Sequence, residues 1–288
     1  MIDRRGFTLG TGAALAGLAL PEAAGATSET LDFARIEAAS GGRLGVAVLD
    51  TRDGRRAGHR ADERFALCST FKLLAGAAVL ARHDAGKEQL DRRIRYDAKD
   101  LVTYSPVTEK HVATGMTLAE LCDAAITLSD NTAGNLLLAA LGGPQGLTAF
   151  TRTLGDSVTR LDRIEPELNE AVPGDPRDTT TPTAMSANIR ALVLGDALSA
   201  QSREQLKRWL VGNKTGDTAL RAGVPAGWTV GDRTGSGERG TRNDVGVIWP
   251  PEREPVIVSV YLTETRVPTE QRNAAIAAVA KAIVRFSS

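Results

Sequence analysis

Residues 228–262 read WTVGDRTGSGERGTRNDVGVIWPPEREPVIVSVYL and contain three strand-like runs. The runs are 228–234, 245–249 and 256–262, and Gly, Pro and charged residues separate them. The connections are too short for crossover helices, so we expect antiparallel strands. A further strand-like run, 44–49, lies near the other end of the chain, and Asp53-Gly54 after it predicts a hairpin.

Helical patterns dominate between these two groups of strands. Residues 71–82, 132–141 and 202–211 each predict a helix, and another runs from Pro182 towards Gly195. Apolar residues at helical spacing mark one further buried face: Leu118, Leu121, Cys122, Ala125 and Ile126. The ends of the chain add the predicted helices 31–39, closed by Gly41-Gly42, and 273–286.

These elements predict an α/β (α+β) sandwich, in which helices flank an antiparallel sheet of about five strands. We expect residues 27–62 and 213–288 to form one discontinuous domain. Residues 63–212 then form an inserted all-helical domain.

The overall composition excludes several classes of protein. The chain has 288 residues, with 35 Lys and Arg against 35 Asp and Glu, and its formal net charge is zero. A balanced charge argues against a nucleic-acid-coating protein or a polybasic membrane binder. The two Cys exclude a disulfide-rich scaffold, and whether Cys68 and Cys122 pair stays open, because pairing depends on geometry.

The first 26 residues resemble an export signal. Arg4 and Arg5 form a twin-arginine pair, residues 7–20 carry no charge, and Ala24-Gly25-Ala26 is a cleavage pattern. The apolar run is shorter than the ~20 residues that a membrane-spanning helix needs. We therefore expect a periplasmic or secreted protein whose mature chain begins near Thr27.

Three short motifs combine residues that suit nucleophilic catalysis. Ser69-Thr70-Phe71-Lys72 opens a helical run, which places Ser69 within reach of Lys72, a possible base. Ser129-Asp130-Asn131 lies between two helices and, taken alone, is more typical of a helix cap. Arg233-Thr234-Gly235 lies on a strand, where a cation and a hydroxyl suit a carboxylate ligand. The alternative there is an exposed edge strand with ordinary polar residues.

Two other signals carry little weight. Gly235, Gly237 and Gly240 satisfy G-x-G-x-x-G, but the segment leads into a strand rather than a helix. The three histidines of the chain show no metal-ligand spacing. We therefore expect neither a metal nor a cofactor.

In this order and spacing, the motifs resemble those of the penicillin-recognising serine enzymes. A fourth motif, Glu165-Pro166-Glu167-Leu168-Asn169, lies in the loop 163–178 and looks like the E-x-x-L-N signature of the class A serine β-lactamases. The resemblance extends from about residue 29 to the C-terminus and includes the segments 104–110, 226–228 and 237–240.

The resemblance implies that the active site lies in the cleft between the two domains, and it implies a role for each matching residue. Ser69, Lys72, Ser129 and Glu165 are the expected catalytic residues, with the backbone N–H groups of Ser69 and Ser236 as the oxyanion hole. Whether Lys72 or Glu165, acting through a water, takes the proton from Ser69 stays open. The expected substrate-binding residues are Tyr104, Asn131, Asn169, Arg233, Thr234, Gly235, Ser236 and Arg242.

Two features of the loop 163–178 follow from the same comparison and from its residues. We expect Arg163 and Asp178 to pair and to tie the ends of a compact Ω-loop. The Glu165-Pro166 bond has a low cost in the cis form because its second residue is proline, and the family has a cis bond there.

The chain also departs from the family pattern. Arg233 replaces the usual Lys, which resembles the carbenicillin-hydrolysing subgroup, and Arg242 matches a second family arginine. The common family disulfide would join Cys122 to position 76, which is Gly76 here. A carbapenemase-type bridge would join Cys68 to position 237, also a glycine, so we expect neither bridge.

The expected partner is a small β-lactam, with no nucleic acid and no membrane after signal removal, and the protein is expected to be a monomer. Two alternatives share part of the pattern. A penicillin-binding DD-peptidase has three of the motifs but lacks the deacylating Glu165 loop. A non-catalytic β-lactam sensor domain would need a transmembrane segment, and none follows the signal.

Overall fold

The computed structural model describes residues 31–286, which belong to one compact unit. The predicted signal peptide, 1–26, lies outside the described residues. Among residues 31–286, no helix combines the length and the apolar character that a membrane span needs. The division into domains at 27–62, 63–212 and 213–288 stays a prediction.

The strands of the described residues include one main sheet and two short pairs. In chain order they are β1 (Arg43–Asp50), β2 (Arg56–His59), β3 (Phe65–Ala66), β4 (Arg93–Ile94), β5 (Met116–Thr117), β6 (Thr179–Thr180), β7 (Thr229–Ser236), β8 (Arg242–Trp249) and β9 (Val256–Thr263). The main sheet has the order β2-β1-β9-β8-β7, with every pair antiparallel. This confirms the predicted five-stranded sheet, in which β9 joins the strands from the two ends of the chain.

The helices occupy most of the predicted positions. In chain order they are α1 (Phe33–Ser40), α2 (Phe71–Asp84), α3 (Leu118–Thr127), α4 (Asn131–Leu141), α5 (Pro144–Thr153), α6 (Pro182–Ile189), α7 (Ala200–Val211) and α8 (Thr269–Phe286). The sequence predicted the ends of α1 well, because Asp32 caps its first turn and Gly41 follows its last residue in the left-handed conformation.

Three helices differ from the prediction. The Gly142-Gly143-Pro144 run ends α4 and also begins α5, which the sequence analysis missed, because proline fits the first position of a helix. The predicted helix from Pro182 to Gly195 ends as α-helix at Ile189 and continues as a π-helical turn, Arg190–Leu194. Helix α8 begins at Thr269 rather than at residue 273.

The sheet is covered on both faces, which explains why β9 is buried along its whole length. Val258 and Val260 belong to a core cluster with apolar residues of α1 and α8. Ile257 and Tyr261 belong to a second cluster, which contains the apolar residues of α2 to α7. Because side chains alternate between the faces of a strand, one strand supplies both cores.

Candidate active site

Ser69 lies in a 3₁₀ turn, Cys68–Thr70, that leads directly into α2. The turn begins with Cys68 at φ 44°, a left-handed conformation that non-glycine residues rarely adopt. Ser69 Oγ donates to Glu165 Oε1 at 3.1 Å and accepts from Lys72 Nζ at 3.0 Å. The hydroxyl therefore lies between an amine and a carboxylate, and its contact with Lys72 is the one that the S-x-x-K spacing predicted.

The ammonium group of Lys72 is fully buried and surrounded by acceptors. Lys72 Nζ donates to Asn131 Oδ1 at 2.6 Å and to the backbone oxygen of Ser129 at 2.9 Å, and it lies 3.0 Å from Glu165 Oε1. Burial lowers the pKa of Lys72 to about 8, since the carboxylate of Glu165 offsets only part of the desolvation and the Arg233 charge adds to it.

In the Ser129-Asp130-Asn131 motif, Asp130 supports the backbone, whereas Ser129 and Asn131 contact Lys72. The Asp130 carboxylate caps α4 through the amide of Ala133 at 2.8 Å, as the cap interpretation predicted. It also accepts the amide of Val107 at 2.9 Å, which holds the segment that carries Tyr104. Ser129 has φ 62°, and its Oγ lies 3.5 Å from Lys72 Nζ.

The Ω-loop holds Glu165 against Ser69. Arg163 Nε donates to Asp178 Oδ2 at 2.6 Å, and the Glu165-Pro166 bond is cis, so both predicted features of the loop are confirmed. Asn169 Nδ2 donates to Glu165 Oε2 at 2.5 Å. The two oxygens of Glu165 thus serve different partners, Ser69 and Asn169.

A second cluster of hydrogen bonds surrounds Arg242. Arg242 donates from Nη1 to Ser236 Oγ at 3.1 Å, from Nη2 to the backbone oxygen of Thr215 at 3.0 Å and from Nε to Asn273 Oδ1 at 2.7 Å. The hydroxyls of Thr215 and Thr234 are 2.5 Å apart. Burial lowers the pKa of Arg242, which remains a cation at neutral pH.

Arg233 lies behind the cleft wall rather than in it. Its guanidinium is fully buried and donates to Ser129 Oγ at 2.5 Å and to the backbone oxygen of Thr234 at 2.8 Å. Burial lowers the pKa of Arg233 to about 10. The sequence predicted two guanidinium groups that face a substrate carboxylate, but only Arg242 of the two lines the cleft.

The cleft has a volume of about 310 Å³ and brings together residues from all four motifs. It is lined by Ser69, Tyr104, Ser129, Asn131, Asn169, Thr215, Thr234, Gly235, Ser236 and Arg242. The remaining predicted site residues, Lys72, Glu165 and Arg233, are buried next to it and contact its lining through hydrogen bonds. A larger cavity of about 630 Å³, which includes Arg190 and Leu194, contains none of the predicted site residues.

Three residues of the site escaped the sequence analysis. Asn135 accepts the amide of Glu165 at 2.8 Å and donates to its carbonyl at 2.9 Å, and it lies one helical turn after Asn131. That i, i+4 spacing is a signal that could have found it. Thr215 and Asn273 lie in no motif, and only the tertiary structure reveals their contacts with Thr234 and Arg242.

Both cysteines are free and buried. A Cβ at Gly237 would lie 2.7 Å from Cys68 Sγ, so the two positions of the carbapenemase-type bridge adjoin, but only one holds a cysteine. Within residues 31–286, no group of three or more His, Cys, Asp or Glu side chains is arranged to hold a metal ion.

Comparisons with known proteins agree with this geometry. A sequence model of the β-lactamase enzyme family matches residues 30–286. The β-lactamase AST-1 of Nocardia asteroides is 56% identical over 252 residues, which cover 88% of this chain and 81% of that protein. The β-lactamase CTX-M-8 of Citrobacter amalonaticus is 53% identical over 251 residues, which cover 87% and 86% respectively. Among solved structures, an ancestral (GNCA) class A β-lactamase matches with a TM-score of 0.88 and 67% identity, over 89% of this chain and 98% of that one. The chain therefore belongs to the class A β-lactamases, hydrolases that open β-lactams.

Proposed function

We propose that this protein hydrolyses penicillins, including those with a side-chain carboxylate, through an acyl-enzyme on Ser69 and a deacylation assisted by Glu165. The observation that carries the proposal is the position of Ser69 Oγ, 3.0 Å from Lys72 Nζ and 3.1 Å from Glu165 Oε1. A serine hydroxyl is a weak nucleophile at neutral pH, and it needs an adjacent base of this kind.

In acylation, Glu165 is the base that this arrangement favours at neutral pH. With a pKa of about 8, Lys72 is mostly protonated at pH 7 and has no free electron pair to accept the proton. Ser69 Oγ already donates to Glu165 Oε1, and the Lys72 cation stabilises the negative charge that develops. The backbone N–H groups of Ser69 and Ser236 form the oxyanion hole, where each such donor is worth ~2.7–4 kcal/mol.

Ser129 returns a proton to the lactam nitrogen when the ring opens. Its Oγ accepts a hydrogen bond from Arg233 at 2.5 Å, so its own hydrogen is free to point towards the cleft. Lys72 Nζ lies 3.5 Å from Ser129 Oγ and can replace the proton that Ser129 gives up. Arg233 thus acts on the substrate through Ser129.

The substrate is held at both ends of the cleft. Arg242, Ser236 and Thr234 bind the carboxylate on the fused ring, since a guanidinium and two hydroxyls are good donors to carboxylate oxygens. Asn131 contacts the side-chain amide and the exposed ring of Tyr104 forms one wall, while Gly235 lets the substrate approach the strand backbone.

The pair Glu165 and Asn169 supports hydrolysis over stable acylation. Asn169 Nδ2 lies 2.5 Å from Glu165 Oε2, and the two side chains can hold the water that frees Ser69. A DD-peptidase lacks this carboxylate and stays acylated by penicillin, and a sensor domain does not turn the drug over. The lifetime of the acyl-enzyme therefore distinguishes these functions.

A trapping experiment tests the proposal directly. Benzylpenicillin is mixed with the Glu165→Gln variant, and intact-protein mass spectrometry follows the acyl-enzyme. Glu165→Gln lacks the proposed base of both steps, so we expect its acyl-enzyme on Ser69 to form more slowly than in the parent but to accumulate, because deacylation stops. We expect rapid turnover in both the parent and the Glu167→Gln control, whose carboxylate is exposed in the same loop. A parent that stays acylated would instead identify a peptidase.

Carboxypenicillin turnover depends on the cations in the cleft and buried next to it. Lys72, Arg233 and Arg242 place three positive groups near the substrate, and Arg233 matches the subgroup that hydrolyses carbenicillin. Steady-state rates with carbenicillin and benzylpenicillin test this part, and far slower turnover of carbenicillin would contradict it.

We also propose that the protein is exported through its twin-arginine signal and works as a monomer. One chain supplies every residue that lines the cleft, from both the 63–212 and the 213–288 segments, which supports a site between two domains. N-terminal sequencing of exported protein tests the cleavage near Ala26, and sedimentation tests the monomer.

A further inference from the structure

Asn243 on β8 connects the main sheet to the segment that precedes the nucleophile. Its Nδ2 donates to the backbone oxygen of Ala66 at 2.9 Å and to that of Leu67 at 3.2 Å. The side chain is only 1% exposed. None of the four sequence motifs includes Asn243, and it does not line the cleft.

The carbonyl of Leu67 holds the turn that carries Ser69. Besides the bond from Asn243, it accepts the hydroxyl of Thr70 at 2.7 Å and the amide of Thr70 at 3.2 Å. Cys68, which has a left-handed φ of 44°, lies between Leu67 and Ser69 in the chain. A displacement of the Leu67 carbonyl therefore moves the backbone N–H of Ser69.

The strand that carries the second oxyanion donor packs against the same carbonyl. Gly235, the register partner of Asn243, directly precedes Ser236. A Cβ on Gly235 would lie 3.1 Å from the Leu67 oxygen and 3.3 Å from Asn243 Nδ2. Gly235 thus lets β7 lie close to the turn that carries Ser69. From the neighbouring strand, β8, Asn243 donates a hydrogen bond to the Leu67 carbonyl at the start of that turn.

We propose that Asn243 is a positioning residue that sets the separation of the two oxyanion donors, the backbone N–H groups of Ser69 and Ser236. The sheet holds Ser236 through the pairing of β7 with β8, and Asn243 connects the Ser69 turn to the same strand. The proposal rests on the proposed function, because it assumes that these two groups bind the acyl oxygen.

The unsatisfied half of the Asn243 amide supports this interpretation. Asn243 Oδ1 is buried without a hydrogen-bond partner among the described residues. A buried acceptor without a partner costs stability, so the side chain contributes through its two N–H bonds.

The carbonyl stretch of the acyl-enzyme tests the inference. Infrared difference spectra are recorded for the benzylpenicillin acyl-enzyme in a Glu165→Ala parent, with and without Asn243→Ala. We expect the ester band to shift to higher wavenumber in Asn243→Ala, because the oxyanion hydrogen bonds lengthen. We also expect acylation to slow by about tenfold, less than the ~10²–10³-fold that loss of a whole donor costs.

Asn188 provides the matched control. It is also buried, donates from Nδ2 to Asp156 Oδ2 at 2.6 Å, and has an Oδ1 without a partner among the described residues. Asn188→Ala should lower the melting temperature without moving the ester band. If Asn243→Ala does not fold, Asn243→Ser takes its place in the experiment. An unchanged band and acylation rate in the Asn243 variant overturn the inference while the proposed function stands. A Glu165→Ala parent that forms no acyl-enzyme on Ser69 even after prolonged incubation with benzylpenicillin overturns both.

Discussion

Arg163 Nε donates to Asp178 Oδ2 at 2.6 Å and joins the two ends of the Ω-loop. The carboxylate of Asp178 is 1% exposed, and its other oxygen accepts the backbone amides of Asp162 and Arg163. Arg163 also donates to Glu170 Oε2 at 2.6 Å, inside the loop. One guanidinium therefore fixes both the closure and the interior of the loop that carries Glu165.

The first prediction concerns this guanidinium. In Arg163→Ala, a buried carboxylate loses its cation and the loop loosens, so Glu165 and Asn169 lose their alignment with the hydrolytic water. Misplacement of catalytic groups by about 1 Å costs up to ~10²-fold in rate, and we expect deacylation to fall by at least about tenfold. Acylation should slow by a smaller factor, because it needs Glu165 alone, whereas deacylation needs both Glu165 and Asn169. Stopped-flow traces with benzylpenicillin measure both steps.

Arg177 offers a control in the same loop. It pairs with Asp175 at 2.6 Å, but its side chain is 48% exposed. Exposed pairs contribute at most ~1 kcal/mol, so Arg177→Ala should leave both steps close to parental rates. Equal slowing of acylation and deacylation in Arg163→Ala would contradict the prediction.

The second prediction concerns the pH dependence of acylation. Burial lowers the pKa of Lys72 to about 8, so its charge is lost as pH rises through 8. If Glu165 is the base and Lys72 acts as a cation, kcat/KM for benzylpenicillin should fall above about pH 8. If neutral Lys72 is the base, kcat/KM should rise through the same range, and the sign of the slope decides.

Variants identify the group that titrates. In Lys72→Met, the residual kcat/KM should show no change near pH 8. Lys207→Met removes a lysine that lies over the Trp249 ring and should keep the parental change in kcat/KM near pH 8. Arg233, with its pKa of about 10, affects a separate and more alkaline region.

The sequence predicted the main sheet and most helices because their signals are local. Strand-like runs separated by turn residues locate β7, β8 and β9, and the antiparallel pairing follows from their short connections. Helix α5 escaped because Gly143-Pro144 both ends one helix and begins the next, so one turn signal served two boundaries.

The proximity of the candidate site residues was predictable where they lie in short motifs. Ser69 and Lys72 are three residues apart, and Ser129 and Asn131 are two apart, so sequence spacing implies spatial proximity. The orientation of Arg233 was not predictable from the sequence. Its guanidinium lies behind the cleft because it hydrogen-bonds to Ser129 and Thr234, and these contacts form only in the folded protein. Thr215 and Asn273 contribute through contacts across the fold, which no local pattern records.

The third prediction concerns acid stability. Burial alone would raise the pKa of Glu37, but hydrogen bonds from Arg60, the Leu44 amide and His59 lower it to about 2. An acid with a lowered native pKa stabilises the fold above its unfolded value of 4.5, and this contribution is lost as pH falls towards 2. Glu37→Gln should therefore cost about 1 kcal/mol at pH 7, since solvent screens such pairs, and much less at pH 2.5.

Urea denaturation at the two pH values measures this difference. Glu254→Gln is the control, because that carboxylate is exposed and makes no ion pair within 4 Å among the described residues. A stability difference between parent and Glu37→Gln that stays the same at pH 7 and pH 2.5 would contradict the assignment.

The fourth prediction concerns Thr215, whose hydroxyl lies 2.5 Å from that of Thr234 and 2.8 Å from Asn213 Oδ1. Thr215→Val removes the hydroxyl that orients Thr234, but keeps the backbone oxygen that holds Arg242. A lost hydrogen bond is worth ~1 kcal/mol, so we expect KM for benzylpenicillin to rise about fivefold with kcat almost unchanged. Thr215→Ser keeps the hydroxyl and should restore the parental KM. A fall in kcat with constant KM in Thr215→Val would place this residue in the chemical step instead of in carboxylate binding.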